Sequence, residues 1–421
     1  MNVVHLSTSD SGGAGIAASR IHQACLDQGI NSTFVSLYRF RHHVPHSYSY
    51  HELIGPIGRF KQRVKNFVRK LFRKKNPYLR LEKFFLKGRP SGFEMFTLPY
   101  SEYNLTKLDV IRKADVVHLH WISEGFVGYK KFFLNIGKKK LVWTLHDMNP
   151  FTGGCHHADD SVGYIYQCRN CPQVKGTIDE DLSYILLFEK INAMKKISNN
   201  QFIAVGPSKW ISEKAAASTL MRRFEHRQIF NPVTDKFRFV ESDRRSLGIP
   251  TDKKVFLYIA KDVHNRRKGF EYLDKAFAEL NPDDYVICTV GNSNPNIRKP
   301  NLIQFGSIND SNKMARIYSA ADAFILPSLA ENLPNTIAES LCCGTPVVAF
   351  DIGGIPEMLD SENGLLIPYK DSGKLTAALR GIINGEFSFD RNRIAEKARA
   401  AYSIQVAGKK YSDLYQQLLS R

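Results

Sequence analysis

Short apolar segments alternate with amphipathic helical stretches along the whole chain. Five segments of the first half are predicted strands: residues 3–7, 33–38, 116–120, 141–145 and 202–205. Five more follow in the second half: residues 255–259, 285–290, 302–305, 323–326 and 346–349. Strands that alternate with helices are typical of βαβ units, because parallel neighbours need a crossover connection. The pattern therefore predicts an α/β protein with two doubly wound parallel sheets.

The two series of strands meet near Asn231 and Pro232, ahead of a polar stretch at 241–254. We therefore expect one domain at 1–230, a second at 231–401, and a final segment at 402–421. The length of 421 residues agrees with two domains that each bury their own core. The final segment has apolar residues at helical spacing, at Tyr402, Val406, Tyr411, Leu414, Tyr415 and Leu418.

Two carboxylates stand eight positions apart between two predicted strands of the second domain. Glu331 lies in the expected loop after strand 323–326, and Glu339 lies on the helix that follows. In open parallel sheets, ligands bind at the carboxyl ends of the strands. A carboxylate accepts several hydrogen bonds, which suits the vicinal hydroxyls of a ribose or a hexose. We therefore expect this pair to bind a polyol. The alternative is that one carboxylate caps the helix and the other lies on its solvated face, which would give the same spacing.

A glycine-rich turn follows the first strand, at residues 11–15, and leads into a helical pattern. The backbone N–H groups of Gly12 and Gly13, together with a helix N-terminus, suit a phosphate group. Gly13, Gly15 and Ala18 also have the spacing of a dinucleotide fingerprint, so an NAD(P)-dependent enzyme is an alternative. The second strand ends in Tyr38 and Arg39, without the acid that usually binds the ribose of NAD. A glycine turn without a ligand is a third possibility.

Cations and a histidine occupy two further positions next to predicted strands. Arg266, Arg267 and Lys268 precede a helix in the second domain, where their charge suits a pyrophosphate, unless they form a solvated cap. His146 and Asp147 directly follow strand 141–145 and form a plausible acid/base or hydrogen-bonding pair. Two more histidines, His118 and His120, alternate on the preceding strand and could be core residues.

Three cysteines have a spacing that zinc sites use. Cys155, Cys168 and Cys171 form C-x12-C-x2-C, and His156 and His157 follow the first of them. Three thiolates and one histidine form a legitimate zinc ligand set. A structural zinc and a group of buried free thiols are both compatible with this pattern.

Composition restricts the cellular setting. The chain is 43% hydrophobic, has no apolar run of the length needed to span a membrane, and starts directly with a strand rather than a signal peptide. Seven unevenly spaced cysteines favour a reducing cytoplasm without disulfides. The net charge is +18, and the segment 59–75 holds nine of the basic residues and no acid. An anionic membrane, nucleic acid or phosphorylated sugar carriers could match this charge, but no nucleic-acid recognition motif accompanies it.

Taken in order, these motifs resemble those of the family 4 glycosyltransferases, a large retaining family with the GT-B fold. The resemblance rests on the segment ENLPNTIAESLCCGTPVV and on MNVVHLSTSDSGGAG, DVVHLHW, FIAVGPSKWIS, IFNPV, RRKGFEYL and DIGGIPEML. The block HDMNPFTGGC resembles a subset of bacterial polysaccharide enzymes of the colanic-acid type. This subset tends to have a fourth cysteine where Ser161 stands here, so a four-cysteine zinc site is excluded.

The resemblance implies two Rossmann-like domains with a cleft between them, an acceptor-side domain first and a nucleotide-sugar domain second, with the last helix crossing back. It implies a retaining, metal-independent hexosyltransferase. The donor would be a UDP- or GDP-linked sugar, and the acceptor a hydroxyl of a growing, lipid-linked cell-surface polysaccharide. The alternatives are an NAD(P)-dependent oxidoreductase, which leaves both the carboxylate pair and the cations unexplained, and a catalytically inactive sugar-nucleotide binder.

The resemblance also assigns roles to residues. Glu331, His146 and Lys268 would be catalytic. Donor binding would involve Gly12, Gly13, Arg267, Lys268, Asn332, Leu333, Asn335 and Glu339, with Glu339 on the ribose hydroxyls and Glu331 on the sugar. Lys261 is a looser candidate for a second phosphate-binding cation. No cofactor would be required beyond the nucleotide-sugar donor.

The basic segment 59–75 also has an apolar stripe at helical period. It comprises Phe60, Val64, Phe67, Val68, Leu71 and Phe72. This pattern predicts an amphipathic helix on an anionic membrane at the inner face of the cell, near a lipid-linked acceptor. Its membrane or acceptor contacts would be Arg69, Lys70, Arg73 and Lys74. The alternative is a helix packed on the first domain with a solvated basic face.

Overall fold

The structure is a computed structural model, which describes residues 1–71, 76–175, 180–241, 244–260, 265–292 and 301–421. It divides into two compact units. The first contains Met1–Ile229 and Ala407–Arg421, and the second contains Phe230–Val406. Phe72, Arg73, Lys74 and Lys261 lie outside the described residues, and of Lys70 only the backbone is described.

The first unit has a seven-stranded sheet in the order β3-β2-β1-β4-β5-β6-β7, with all neighbours parallel. Its strands are β1 (Asn2–Ser9), β2 (Asn31–Tyr38), β3 (Ser47–Ser49), β4 (Val116–Leu119), β5 (Lys140–Thr144), β6 (Phe202–Gly206) and β7 (Glu225–Gln228). Its helices include α1 (Gly12–Asp27), α2 (Tyr50–Leu53), α3 (Gly55–Leu71), α4 (Pro77–Phe85), α5 (Asp109–Lys113), α6 (Tyr129–Phe133), α7 (Leu182–Met194) and α8 (Lys209–Ala217).

The second unit has a six-stranded parallel sheet in the order β10-β9-β8-β11-β12-β13. Its strands are β8 (Lys254–Ala260), β9 (Tyr285–Gly291), β10 (Leu302–Gln304), β11 (Ala323–Leu326), β12 (Val347–Phe350) and β13 (Gly364–Ile367). Its helices are α9 (Phe270–Ala278), α10 (Ser311–Ala320), α11 (Asn335–Cys342), α12 (Ser372–Ile383) and α13 (Arg391–Tyr402). The two parallel sheets confirm the predicted α/β class with two doubly wound halves.

Alternation along the strands buries both faces of the first sheet. Val4 and Leu6 of β1 belong to one apolar cluster, whereas Val3 belongs to another, because successive side chains point to opposite faces. The cluster around Val3 also contains residues of α1 and of the last helix, α14 (Ile404–Leu419). A Cβ added at Gly408 of α14 would lie 2.7 Å from the carbonyl oxygen of Ala24, so this glycine permits close packing of α14 on α1. Within the described ranges, no helix is both long and apolar enough to cross a bilayer.

Candidate functional site

The carboxylate pair lies where the sequence pattern predicts, at the end of a strand of the second unit. β11 ends at Leu326, Glu331 lies in the loop, and Glu339 lies on α11. The loop is held by the segment after β12, because the Gly354 N–H donates to the Asn332 carbonyl at 2.9 Å. A Cβ on Gly353 would come within 1.8 Å of the Glu331 carbonyl oxygen, so only glycine permits this approach.

Glu331 pairs with both predicted cations. Lys268 Nζ lies 2.6 Å and Arg267 Nη1 3.2 Å from Glu331 Oε1. These side chains are mostly buried, with Glu331 11% and Lys268 22% exposed. Two cations therefore share one carboxylate oxygen, so these three side chains together carry one excess positive charge. Such an excess attracts an anion, and it is weakly screened because the groups are largely shielded from water.

Backbone contacts build the cation turn and the carboxylate loop together. The Leu329 N–H donates to the Arg267 carbonyl at 2.7 Å, and Arg267 Nη1 donates to the Ala330 carbonyl at 2.8 Å. Gly269 has φ +66°, and a Cβ there would lie 1.7 Å from the Pro327 carbonyl oxygen. The glycine of the RRKG motif is thus required by the close approach of the two segments, and it fixes Lys268 beside Glu331.

Glu339 lies in a different environment from Glu331. It is buried on α11, and the Tyr318 hydroxyl of α10 donates to its Oε2 at 3.2 Å. The hydrogen bond fixes the side chain while a carboxylate retains further acceptor sites. Nearby, Asn332 and Leu333 are buried, and the Asn335 side-chain oxygen accepts from Asn231 at 3.2 Å. Asn332, Leu333, Asn335 and Glu339 therefore lie together in the loop and on the helix that follows it. The turn that carries Arg267 and Lys268 packs on this loop.

In the first unit, His146 follows β5 and contacts another histidine. Its Nε2 lies 3.2 Å from His120 Nδ1. Burial lowers the pKa of His146 to about 4, so the ring is neutral near pH 7. A neutral imidazole with this pKa is a hydrogen-bonding group rather than a base poised near neutral pH.

The carboxylate next to His146 has other partners than the sequence suggested. Asp147 accepts hydrogen bonds from Trp121 Nε1 at 2.8 Å and from the backbone of Asn149 at 2.9 Å, and it pairs with His156 Nδ1 at 2.6 Å. Burial alone would raise the pKa of Asp147, but the contacts with His156 and with the Asn149 backbone outweigh burial and hold this pKa below its usual range. Asp147 thus anchors the loop after β5 by bonding to His156, while His146 contacts His120.

The glycine turn before α1 has an open surface at two positions. Gly12 has φ +73° and begins α1, and a Cβ at Gly12 or Gly13 would meet no atom within 4 Å. A Cβ at Gly15 would lie 2.5 Å from the Ser9 carbonyl oxygen, so this glycine serves close packing of α1 on β1. The exposed N-terminal turn of α1 remains suitable for an anion.

The geometry does not support the predicted zinc site. Within the described ranges, the histidine, cysteine and acidic ligand atoms that gather within 4.8 Å of one another belong to His5, His118 and His120, not to the cysteine group. Burial raises the pKa of both Cys155 and Cys168 to about 12, so both are thiols in this structure. His156 is engaged by Asp147 and Thr97. The three cysteines are free, two of them buried and Cys171 partly so.

Sequence reasoning missed two features of these sites. His5 on β1 was not singled out, although it is paired in register with His118 of β4. The hydroxyl of Tyr318 could not be assigned to Glu339 from their spacing, because α10 and α11 are brought together by the sheet. The only sequence signal for the histidines was their recurrence at equivalent positions of adjacent strands.

Comparisons with known proteins agree with this geometry. Residues 253–384 match the family described as "Glycosyl transferases group 1", and this range includes both cations and both carboxylates. The proposed colanic acid biosynthesis glycosyl transferase WcaC of Escherichia coli is 24% identical over 99% of this chain and 100% of its own length. A D-inositol 3-phosphate glycosyltransferase of Corynebacterium aurimucosum is 31% identical over 65% of this chain and 64% of its own.

Two solved structures show the same fold. A sucrose-phosphate synthase from Thermosynechococcus elongatus superposes with a TM-score of 0.62 at 19% identity and covers 100% of both chains. The Anabaena protein HepE in complex with UDP also gives 0.62, at 15% identity, over 99% of this chain and 100% of its own. These likenesses show the fold, and the matched family favours glycosyl transfer over the oxidoreductase alternative. Residues 253–384 therefore belong to the group 1 glycosyltransferases, and the chain has the GT-B fold.

Proposed function

We propose that this protein transfers a sugar from a nucleoside diphosphate sugar, UDP- or GDP-linked, to a hydroxyl of a growing cell-surface polysaccharide, with retention at the anomeric carbon. The observation that carries the proposal is the contact of Glu331 with Arg267 and Lys268, with Glu339 nearby on α11. HepE was solved with UDP and with UDP-glucose, which favours UDP as the leaving nucleotide here too. WcaC, by its name, supports a polysaccharide product.

In this proposal, four side chains of the second unit bind different parts of the donor. Arg267 and Lys268 bind the diphosphate, and their charge stabilises it as it leaves with the electron pair of the glycosidic bond. Glu331, fixed by the same cations, accepts hydrogen bonds from sugar hydroxyls. Glu339, fixed by Tyr318, accepts hydrogen bonds from the ribose. Because Arg267 and Lys268 would supply the positive charge at the diphosphate, transfer would proceed without a divalent ion.

Backbone groups of the same loop would complete donor binding. Asn332, Leu333 and Asn335 lie between the two glutamates at the start of α11, where backbone N–H groups suit sugar or phosphate oxygens. In the first unit, the backbone of Gly12 and Gly13 would bind an anionic group, and His146 would hydrogen-bond the donor sugar.

We further propose a lipid-linked acceptor and a peripheral position on the inner face of the membrane. The apolar stripe of α3 supports this, because Ile57, Phe60 and Phe67 are 73%, 68% and 68% exposed. α4 adds exposed Leu81, Phe84 and Phe85. Apolar side chains exposed on consecutive helices suit insertion at a bilayer surface.

The basic residues of α3 divide into two groups. Arg69 pairs with Glu102 at 2.6 Å and is 16% exposed, and Lys65 pairs with the same carboxylate. This pair holds α3 on the first unit, so the expectation that Arg69 contacts lipid is revised. Arg59, Lys61 and Arg63 are exposed and would supply the contacts with anionic headgroups.

A donor screen tests the proposed activity. The purified protein is incubated with UDP-, GDP-, ADP- and dTDP-sugars, and release of the nucleoside diphosphate is measured with and without EDTA. We expect release from at least one UDP- or GDP-sugar, equal rates with EDTA, and loss of the signal in Lys268→Ala. Lys374→Ala, which removes an exposed lysine of α12, is the matched control. Loss of activity on chelation would contradict metal independence, and no release from any donor by folded protein would contradict the transfer itself.

A further inference from the structure

Three buried or half-buried imidazoles form a continuous hydrogen-bonded row in the first unit, with His5 on β1, His120 directly after β4 and His146 two residues after β5. His5 Nδ1 lies 3.0 Å from His120 Nε2, and His120 Nδ1 lies 3.2 Å from His146 Nε2. β1, β4 and β5 are neighbours in the sheet, and side-chain alternation places the three residues on the face that α1 and α14 cover. The row leads from the sheet interior to His146.

All three rings are neutral at ordinary pH. Burial lowers the pKa of His5 and His120 well below the usual value for histidine, and the pKa of His146 falls to about 4. A neutral imidazole carries one N–H and one lone pair. Both hydrogen bonds can therefore form only if the protons of all three rings are ordered in the same direction, which leaves two arrangements.

The unpaired end of the row selects one arrangement. In the part of the chain that the structure describes, His5 Nε2 is buried and has no hydrogen-bond partner. If the donors point from His146 toward His5, this nitrogen carries a buried N–H without an acceptor. If they point from His5 toward His146, it carries only a lone pair. Buried unpaired donors are rarer than under-used acceptors, so the second arrangement is the more stable.

We propose that His5 and His120 form a one-directional relay that fixes His146 in the tautomer protonated at Nδ1. His5 Nδ1–H donates to His120 Nε2, His120 Nδ1–H donates to His146 Nε2, and Nδ1 of His146 carries its proton. His146 thus offers a hydrogen-bond donor through Nδ1 to any oxygen that it faces. His5 and His120 are positioning residues, and their catalytic importance rests on the proposed contact of His146 with the donor sugar.

A shared metal ion would be a different explanation for the cluster. His5, His118 and His120 have ring nitrogens within 4.8 Å of one another. However, His118 uses both nitrogens, with Nδ1 at 2.7 Å from the Tyr415 hydroxyl and Nε2 at 2.8 Å from Thr144 Oγ1. His120 likewise uses both in the row. A metal would have to break these bonds, whereas the relay keeps them all.

NMR of the full chain with ¹⁵N-labelled histidine tests the relay directly. The His146 signals are assigned by their loss in His146→Gln, and the protonated nitrogen is read from the ¹⁵N shifts. We expect Nδ1–H in the wild type and in His120→Asn, whose amide nitrogen can still donate to His146. In His120→Leu, the preference should be lost. His118→Leu, which removes an equally buried histidine outside the row, is the control and should leave His146 unchanged.

Three results would overturn the relay: protonation of His146 at Nε2 in the wild type, an unchanged tautomer in His120→Leu, or one equivalent of metal by elemental analysis of the purified protein.

Kinetic measurements distinguish failure of the relay from failure of the proposed function. We expect kcat to fall about tenfold in His120→Leu, because one hydrogen bond in the transition state is lost. In His120→Asn, kcat should recover. The KM for the donor should stay unchanged in both variants. An unchanged kcat together with the expected tautomers would support the relay and reject the role of His146 in transfer.

Discussion

The ribose role of Glu339 gives the sharpest prediction from the donor site. Glu339→Ala removes a buried carboxylate that Tyr318 holds in place, and with it the acceptor proposed for the two ribose hydroxyls. Hydrogen bonds to a charged acceptor each contribute about 1.5–3 kcal/mol. Two of them therefore amount to at least about 3 kcal/mol, which corresponds to about 100-fold in affinity.

The assay is a double-mutant cycle between protein and ligand. Calorimetry measures binding of UDP and of 2′,3′-dideoxy-UDP to the wild type and to Glu339→Ala. In the wild type, removal of the hydroxyls should weaken binding about 100-fold. In the variant, both ligands should bind with similar, weak affinity, because the hydroxyls have lost their acceptor.

Glu331→Gln is the matched control for this cycle. Its side chain lies beside Lys268 rather than Tyr318, so the ratio of UDP to dideoxy-UDP affinity should stay at its wild-type value. Thermal unfolding checks that each variant is folded, since Glu339→Ala also leaves the Tyr318 hydroxyl without this acceptor. An affinity ratio in Glu339→Ala equal to that of the wild type would refute the ribose assignment.

Three further predictions concern charge, membrane and pH. Lys268→Ala should lower transfer at least about 100-fold, because it removes a cation opposite the leaving diphosphate, and an unchanged rate would contradict that role. Replacing Phe60 and Phe67 together by Ser should abolish flotation with anionic vesicles. The control is Tyr166→Ser, which alters a side chain that is 71% exposed elsewhere in the unit and should leave flotation unchanged. Equal binding of both variants would reject α3 as the membrane-binding surface. The free energy of unfolding should fall as pH drops from 6.5 to about 4, because the pKa of His146 is lowered in the folded state and the unfolded chain takes up the proton first. His146→Gln should flatten that slope, and an equal slope in the variant would show that His146 does not contribute.

The sequence predicted the repeating architecture because buried parallel strands are apolar on both faces. All ten predicted strands are present within a residue or two of their expected ends. Three strands were missed. β7 has the sequence EHRQ, whose polar residues are compatible with the edge of a sheet, and β3 has only three residues. The third, β13, reads GLLI and has no alternation to distinguish it from a loop.

Motifs within one segment were easier to predict than partners brought together by folding. Glu331 and Glu339 were identified because a strand end, a loop and a helix start are adjacent in the sequence. The contact of Arg69 with Glu102 joins residues 33 positions apart, so the stripe on α3 predicted a helix but not which basic residues face the protein. Likewise, the spacing of Asp147 suggested His146 as its partner, whereas the loop after β5 turns the carboxylate toward His156.

A crystal structure of the protein with UDP would show which residues bind the nucleotide. We expect the diphosphate to contact Arg267 and Lys268 in the second unit, and the ribose hydroxyls to lie within hydrogen-bonding distance of Glu339. Glu331 should lie beside the end of the diphosphate where a sugar would be attached. A nucleotide bound only at the Gly12–Gly13 turn, with its ribose away from Glu339, would contradict the donor site proposed in the second unit.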